Sequence, residues 1–208
     1  MALDEDLNWA SSEETISLIP VHPDREPAGA SKTLMQSLQK RQTIREFSRR
    51  GLGMETLSRL LWCAFGINRP EDGRRTAPSA QNWQEIDIYV SMASGLYLFD
   101  AKAFTLQLVL KEDIRGATGW QDFVPHVPVN LVYVADLHKL GDAPRTEQKF
   151  YAALDTGFIS QNIYLFCATE GLATVVRGWV DRPALAQIMK LAPNQRIIAA
   201  QSVGYPKD

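Results

Sequence analysis

A chain of 208 residues, 45% of them hydrophobic and 22% charged, has the make-up of an ordinary globular domain with enough apolar side chains for one sizeable core. Lys and Arg number 22 against 24 Asp and Glu, a net charge of −2, so nothing marks the chain for nucleic acid and any anion site must be local. No apolar run reaches the ~20 residues that cross a bilayer, which argues against a membrane span. The first thirty residues carry seven acids with Arg25 as their one base, the reverse of a secretory leader. Cys63 and Cys167 both lie in apolar, helix-like stretches, so the expectation is a cytoplasmic protein with buried, inert thiols and no disulfide framework.

Residues 1–30 are acidic and carry Pro20, Pro23 and Pro27 around one short apolar patch, Ile16 to Ile19, which predicts an extended arm ahead of a single domain over residues 31–208. A helix is expected from Ser31 as N-cap, with Leu34, Met35 and Leu38 on one face, leading straight into Arg41. A second helix covers 54–65, where Leu57, Leu60, Leu61, Ala64 and Phe65 form an apolar stripe that Gly66 ends. Strand-like runs rich in β-branched and aromatic residues follow at 86–90, 105–110 and 129–134. A third helix over 155–170, stopped by Gly171, carries Phe158, Ile159, Ile163, Phe166 and Cys167 around most of its circumference, the pattern of a central buried helix. After a strand at 173–176 comes a helix opened by Asp181, with Pro183 in its first turn and Leu185, Ile188 and Met189 inward, and then a strand at 197–203. Two helices precede the first of these strands and alternation is not strict, which predicts an α+β fold: a central, mostly antiparallel sheet flanked by helices.

Three stretches could carry chemistry. In Arg41-Gln42-Thr43-Ile44-Arg45 a hydroxyl stands between two guanidinium groups, and in extended backbone Arg41, Thr43 and Arg45 share a side. Two Arg forks and a hydroxyl can cover several oxygens of one phosphate, although a solvated basic helix end has the same composition. The loop Arg75 to Gln84 feeds a strand and offers Ser79, Asn82 and Gln84 as uncharged donors and acceptors, suited to ribityl hydroxyls or the edge of a heteroaromatic ring, or to satisfying the loop's own backbone. Gly171 to Gly178 reads as a helix stop, a short strand and a glycine where backbone can approach a ligand, or as a plain helix–strand connection. His22, His126 and His138 are too far apart for a zinc site and no metal is expected; P-loop, G-x-G-x-x-G and G-x-S-x-G motifs are absent. Trp9, Trp62, Trp83, Trp120 and Trp179 are scattered as core or interface residues are.

Taken together and in order, these motifs resemble the nitroreductase family, and in particular its short branch related to the dehydrogenases of the thiazoline-oxidase type. The resemblance rests on Arg41 to Phe47, on Thr76-Ala77-Pro78-Ser79-Ala80, on Asp155 to Asn162, on Gly171-Leu172 and on Val203-Gly204-Tyr205-Pro206. It implies FMN bound at a homodimer interface, with Arg41, Gln42, Thr43 and Arg45 around the flavin phosphate, ribityl chain and pyrimidine edge. Pro78, Ser79, Asn82 and Gln84 would arrive from the partner subunit. Val176 would pack on the ring, the backbone amides of Arg177 and Gly178 would face its N5 and O4 region, and Gln121 would add a contact. The chain departs from the family in Gln42, where a second base is common, in Thr43 for the commoner Ser, and in Arg177, where an acid is frequent.

The resemblance further implies an oxidoreductase without catalytic side chains, in which NADH or NADPH reduces the flavin and a nitro compound, quinone or other small electrophile reoxidises it. A flavin-dependent dehydrogenase of a peptide or small heterocycle, and a flavin-binding dimer without turnover, are the alternative readings.

Overall fold

The computed structural model describes residues 14–22 and 32–207. Nine strands lie among these residues: β1 (Thr15–Ser17), β2 (Ile67–Arg69), β3 (Arg74–Arg75), β4 (Ile86–Met92), β5 (Gly95–Asp100), β6 (Thr105–Leu110), β7 (Val129–Asp136), β8 (Ala173–Arg177) and β9 (Gln195–Gly204). The helices are α1 (Leu34–Lys40), α2 (Met54–Phe65), α3 (Arg145–Glu170) and α4 (Arg182–Ile188). Seven strands form one sheet in the order β1-β6-β5-β4-β7-β9-β8, while β2 and β3 make a separate hairpin. Every neighbouring pair in the large sheet is antiparallel, so the expected α+β architecture holds with a purely antiparallel sheet.

The central strand β7 shows how the layers arise. Successive side chains of a strand point to opposite faces, and both faces of β7 are covered, so its residues are buried from Val129 to Ala135. Val129, Leu131, Tyr133 and Ala135 enter the larger core with α2 and α3, where Leu57, Leu60, Leu61, Ile159 and Ile163 are fully excluded from solvent. Val132 and Val134 enter a smaller core under α4 with Leu185 and Met189. Asn130 lies on that second face too, and its polarity there matters below.

Some boundaries differ from the sequence reading for physical reasons. Ser31 lies outside the described residues, and α1 is capped by Thr33, whose hydroxyl accepts from the Gln36 amide while Gln36 returns a bond to Thr33 N. The Leu34, Met35 and Leu38 face of α1 is exposed, and Ser37 is the residue buried against α3, bonded to Thr169 at 2.8 Å. Helix α3 starts at Arg145, well ahead of residue 155. Its added turns give a weak periodic signal because Phe150 and Leu154 point away from this chain's core. Phe158 and Ile188, expected inward, are also exposed. Strand β5 was not anticipated: the Ala93-Ser94 turn that folds it onto β4, with Met92 facing Gly95, lacks the Asn-Gly or Asp-Gly signature of a tight hairpin. Strand β1, within the acidic N-terminal stretch, pairs with β6 and sends Ile16 into the core.

The two-faced burial of β7 gives a stability prediction. Leu131→Ala should lower the unfolding free energy by about 2–5 kcal/mol with an unchanged urea m-value, measured by chemical denaturation, because a fully buried leucine leaves a cavity that a close-packed sheet centre cannot collapse around.

Candidate functional site

β8 is the last strand of the sheet, so half of its main-chain groups face away from β9. The segment after α1 uses that edge. The Ile44 amide donates to Thr174 O at 3.1 Å, the Ser48 amide to Tyr205 O at 2.9 Å, and the Lys207 amide to Glu46 O at 3.2 Å, while Phe47 bridges to Pro206. Residues 41–48 are thereby held between β8 and the tail that follows β9.

Tyr164 of α3 ties the Arg41–Arg45 cluster to the strand. Its hydroxyl accepts from the Val176 amide at 3.1 Å and lies 3.1 Å from the Thr43 hydroxyl, while the Arg41 guanidinium sits 5.4 Å from its ring centre. Gln42, Thr43 and Arg45 are exposed, and the Gln42 and Arg45 side chains make no hydrogen bond among the described residues. Beside them opens a cavity of about 550 Å³ whose lining includes Lys32, Lys40, Arg41, Gln42 and Tyr164 and no carboxylate. Lys40 and Arg41 face this space, and the Lys32 ammonium donates to the Ala168 and Thr169 carbonyls at the end of α3, so the lining carries positive charge only.

Further along β8 the alternation continues. Thr174 and Val176 turn main-chain groups outward, so Val175 and Arg177 pair inward with β9, Arg177 opposite Ala200. The Arg177 amide therefore faces the sheet, leaving Gly178, exposed and with open space where a Cβ would stand, as the next outward residue. The Arg177 side chain is buried on the sheet face opposite Val176. Its guanidinium donates to Thr118 O at 2.7 Å, Ser202 Oγ at 3.1 Å and Asn130 Oδ1 at 3.1 Å, all neutral acceptors. Burial lowers its pKa to about 10, which leaves it a cation at neutral pH. Gly119 passes so close that a Cβ there would stand 1.9 Å from Arg177 Nη1. Gln121 is in the same corner, its buried Oε1 without a partner among the described residues.

The loop carrying Pro78, Ser79, Asn82 and Gln84 is placed elsewhere. It is strained, since Gln81, Asn82 and Gln84 all have φ near +50° to +60°, an uncommon region for residues other than glycine and one that persists where surroundings enforce it. Gln84 accepts from Arg75 Nε at 2.7 Å and donates to Gly73 O and Asn82 Oδ1; Ser79 Oγ accepts from the Gln84 amide at 2.8 Å; the Ala80 amide donates to Asp155 at 2.9 Å. Pro78 is exposed. Asp155 and Tyr164 are nine residues apart on α3, which is about 13 Å along the axis and half a turn around it. One chain therefore does not bring this loop to the Arg41–Arg45 cluster.

Residues 38–205 match the model of the nitroreductase family. The chain belongs to the nitroreductase family. As a member it is an oxidoreductase, and relatives of known structure bear the fold out. A Ralstonia eutropha protein assigned to the nitroreductases is 37% identical, with a TM-score of 0.86 over 98% of this chain and 93% of its own. The Escherichia coli microcin synthetase complex, solved with a truncated precursor peptide, gives a TM-score of 0.74 at 19% identity over 91% of this chain and 78% of that one. The NADPH:FMN oxidoreductase of Vibrio harveyi, solved with NAD+, gives 0.65 at 18% identity over 84% and 69% of the two chains.

Several residues around this nitroreductase-family site carry no local sequence signal. Tyr164 sits in an amphipathic helix like any half-buried aromatic, and Thr118, Asn130 and Ser202 come from three distant segments. Glu85 is another. It is fully buried next to Asp155 and accepts from Ser79 Oγ at 3.3 Å, and one of its oxygens has no partner among the described residues. Burial, with the Asp155 carboxylate adding to it, pushes Glu85 up to about 7. The two thiols are likewise raised by burial, Cys63 to about 11 and Cys167 further, so both are protonated and unreactive at neutral pH. Among the described residues no cluster of His, Cys, Asp and Glu is placed to hold a metal ion, and no helix is long and apolar enough to cross a membrane.

Two outcomes follow. Because folded Glu85 keeps a proton that the unfolded chain releases, its contribution is full below about pH 4.5 and is lost as pH rises to about 7. Glu85→Gln should flatten that fall in urea midpoint, and a slope equal to the parent's would assign it to another group. Gly119→Ala should destabilise by about 1–3 kcal/mol in the same assay, because the new methyl displaces a buried guanidinium.

Proposed function

We propose that this chain is an FMN-dependent oxidoreductase that takes electrons from NADH or NADPH, passes them to a small electrophilic acceptor such as a nitro compound or quinone, and works as a homodimer. The observation that carries the reading is the acid-free, three-cation cavity joined through Thr43, Tyr164 and the Val176 amide to the outward edge of β8.

The residues fit FMN by their donor set. Arg41, Arg45 and the Thr43 hydroxyl suit a phosphate and its ribityl oxygens. Half-buried Val176 offers an apolar contact to a ring, and Gly178 lets that ring approach the main chain. The orphaned Gln121 oxygen is an acceptor awaiting an N–H, which the flavin pyrimidine supplies. When bound, FMN supplies the electron chemistry, so the protein's part is to orient donor and acceptor in turn and to hold charge near the ring.

Two features support the dimer. The strained Pro78–Gln84 loop sits half a turn of α3 and about 13 Å away from the cluster, so a flavin contact from its exposed Pro78 and Asn82 is one made to a second copy. Helix α3 also exposes Phe150, Leu154 and Phe158, four residues apart and therefore on one face, and α1 exposes Leu34, Met35 and Leu38. Unpaired apolar surface of this kind marks an interface, and self-association at a two-fold axis is its commonest form. The NADPH:FMN oxidoreductase of similar fold lends support to the cofactor pair.

Arg41 and Arg45 changed together to Ala should weaken FMN by at least tenfold while riboflavin, which lacks the phosphate, binds about as before, since each charged hydrogen bond is worth about 1.5–3 kcal/mol. Equal FMN affinity in parent and double variant would put the phosphate elsewhere. Phe158→Glu should turn the sedimenting species from dimer to monomer and weaken FMN with it. A parent that sediments as monomer with FMN tightly bound would overturn the shared site.

A further inference from the structure

A buried guanidinium normally faces a carboxylate, because taking a charge from water costs several kcal/mol that a counter-ion or a full set of hydrogen bonds must offset. Arg177 has the hydrogen bonds and, among the described residues, no counter-ion. Its partners come from β7, β9 and the turn at Arg115–Thr118: Asn130 Oδ1, Ser202 Oγ, Thr118 O and Thr118 Oγ1. Asn130 and Ser202 are locked to each other at 2.5 Å, and Asn130 Nδ2 is spent on Val124 O, so the acceptors are fixed and turned toward the cation. Gly119 gives up a side chain to make room for it. The result is a full positive charge with 3% exposure, held one residue from Gly178 and next to the orphaned Gln121 oxygen.

Water screens little at such depth and neutral dipoles do not cancel the charge, so its field reaches past the end of β8. The geometry points to Arg177 as a residue that sets the reduction potential of the cofactor bound along the β8 edge, by favouring the reduced, more negative ring over the oxidised one. The inference rests on the flavin reading above. It assigns Arg177 no contact with the ring; the guanidinium acts through space, and the backbone at 176–178 sets how near the ring lies. The consequence for function is a flavin more easily reduced by a nicotinamide and correspondingly selective for acceptors of higher potential.

The test is the midpoint potential of bound FMN, measured by spectroelectrochemistry on the parent and three variants. Arg177→Gln removes the charge and keeps one arm of the hydrogen bonding. Arg177→Lys keeps the charge. Asn130→Asp leaves Arg177 in place and sets a carboxylate against it where an amide oxygen now lies 3.1 Å from Nη2. The Gln and Asp variants should each lower the preference for reduced over oxidised FMN about tenfold, a fall of about 30 mV for a two-electron couple, and the Lys variant should stay near the parent. If Arg177→Gln does not fold, the Asp and Lys variants still decide. Potentials of the Gln and Asp variants equal to the parent's, with FMN bound, would overturn the role of Arg177 and leave the flavin reading intact. A parent that neither retains nor takes up FMN would overturn both.

Discussion

The site depends on the free edge of β8. An edge strand leaves alternate amides and carbonyls unpaired, and here Ile44 in the segment after α1 takes up the Thr174 carbonyl and the Tyr164 hydroxyl the Val176 amide, while that segment pairs in turn with the tail beyond β9. That pairing fixes the Arg41–Arg45 cluster in space. Without it two arginines and a threonine at a helix end would be solvated side chains with many rotamers, and convergent charge would cost conformational entropy at each binding event. With it the backbone is held at Ile44, Glu46 and Ser48, and the side chains between project from a fixed line.

The same edge separates two electrostatic regimes. On the outside, Lys40 and Arg41 line the cavity and Arg45 is exposed beside it, so their charges are screened by water and salt. On the inside, one strand position from the end, Arg177 is a dry cation in a cage of neutral acceptors. Position within a two-faced sheet, and not residue type, decides which arginine is which.

The long helix α3 organises the rest. Its inner face carries Ile159 and Ile163 into the core, Asp155 anchors the strained loop, Tyr164 reaches the cluster half a turn away, and Phe150, Leu154 and Phe158 are left outside. The outward residues explain why the helix looked shorter in sequence than it is. An amphipathic pattern is legible when one chain buries its apolar stripe, and it fades where apolar residues face away from that chain's core.

Much was legible in the residues themselves. The period-3.6 stripe of α2 fixed its span at both ends, runs of β-branched residues located β4, β6, β7, β8 and β9, and the ordered motifs led to the family because each marks a local backbone need: a helix exit, a loop into a strand, a glycine at a helix end. These are short-range properties, and local propensity encodes them. Tertiary structure alone decided what lies opposite what. Nothing near Arg177 in sequence says that it is buried, since its partners are up to 59 residues away. Nothing near Glu85 announces Asp155, and the Ala93-Ser94 turn hid β5. Charge burial and edge pairing are set by the whole sheet closing at once, and a linear pattern carries the residues for them without the distances.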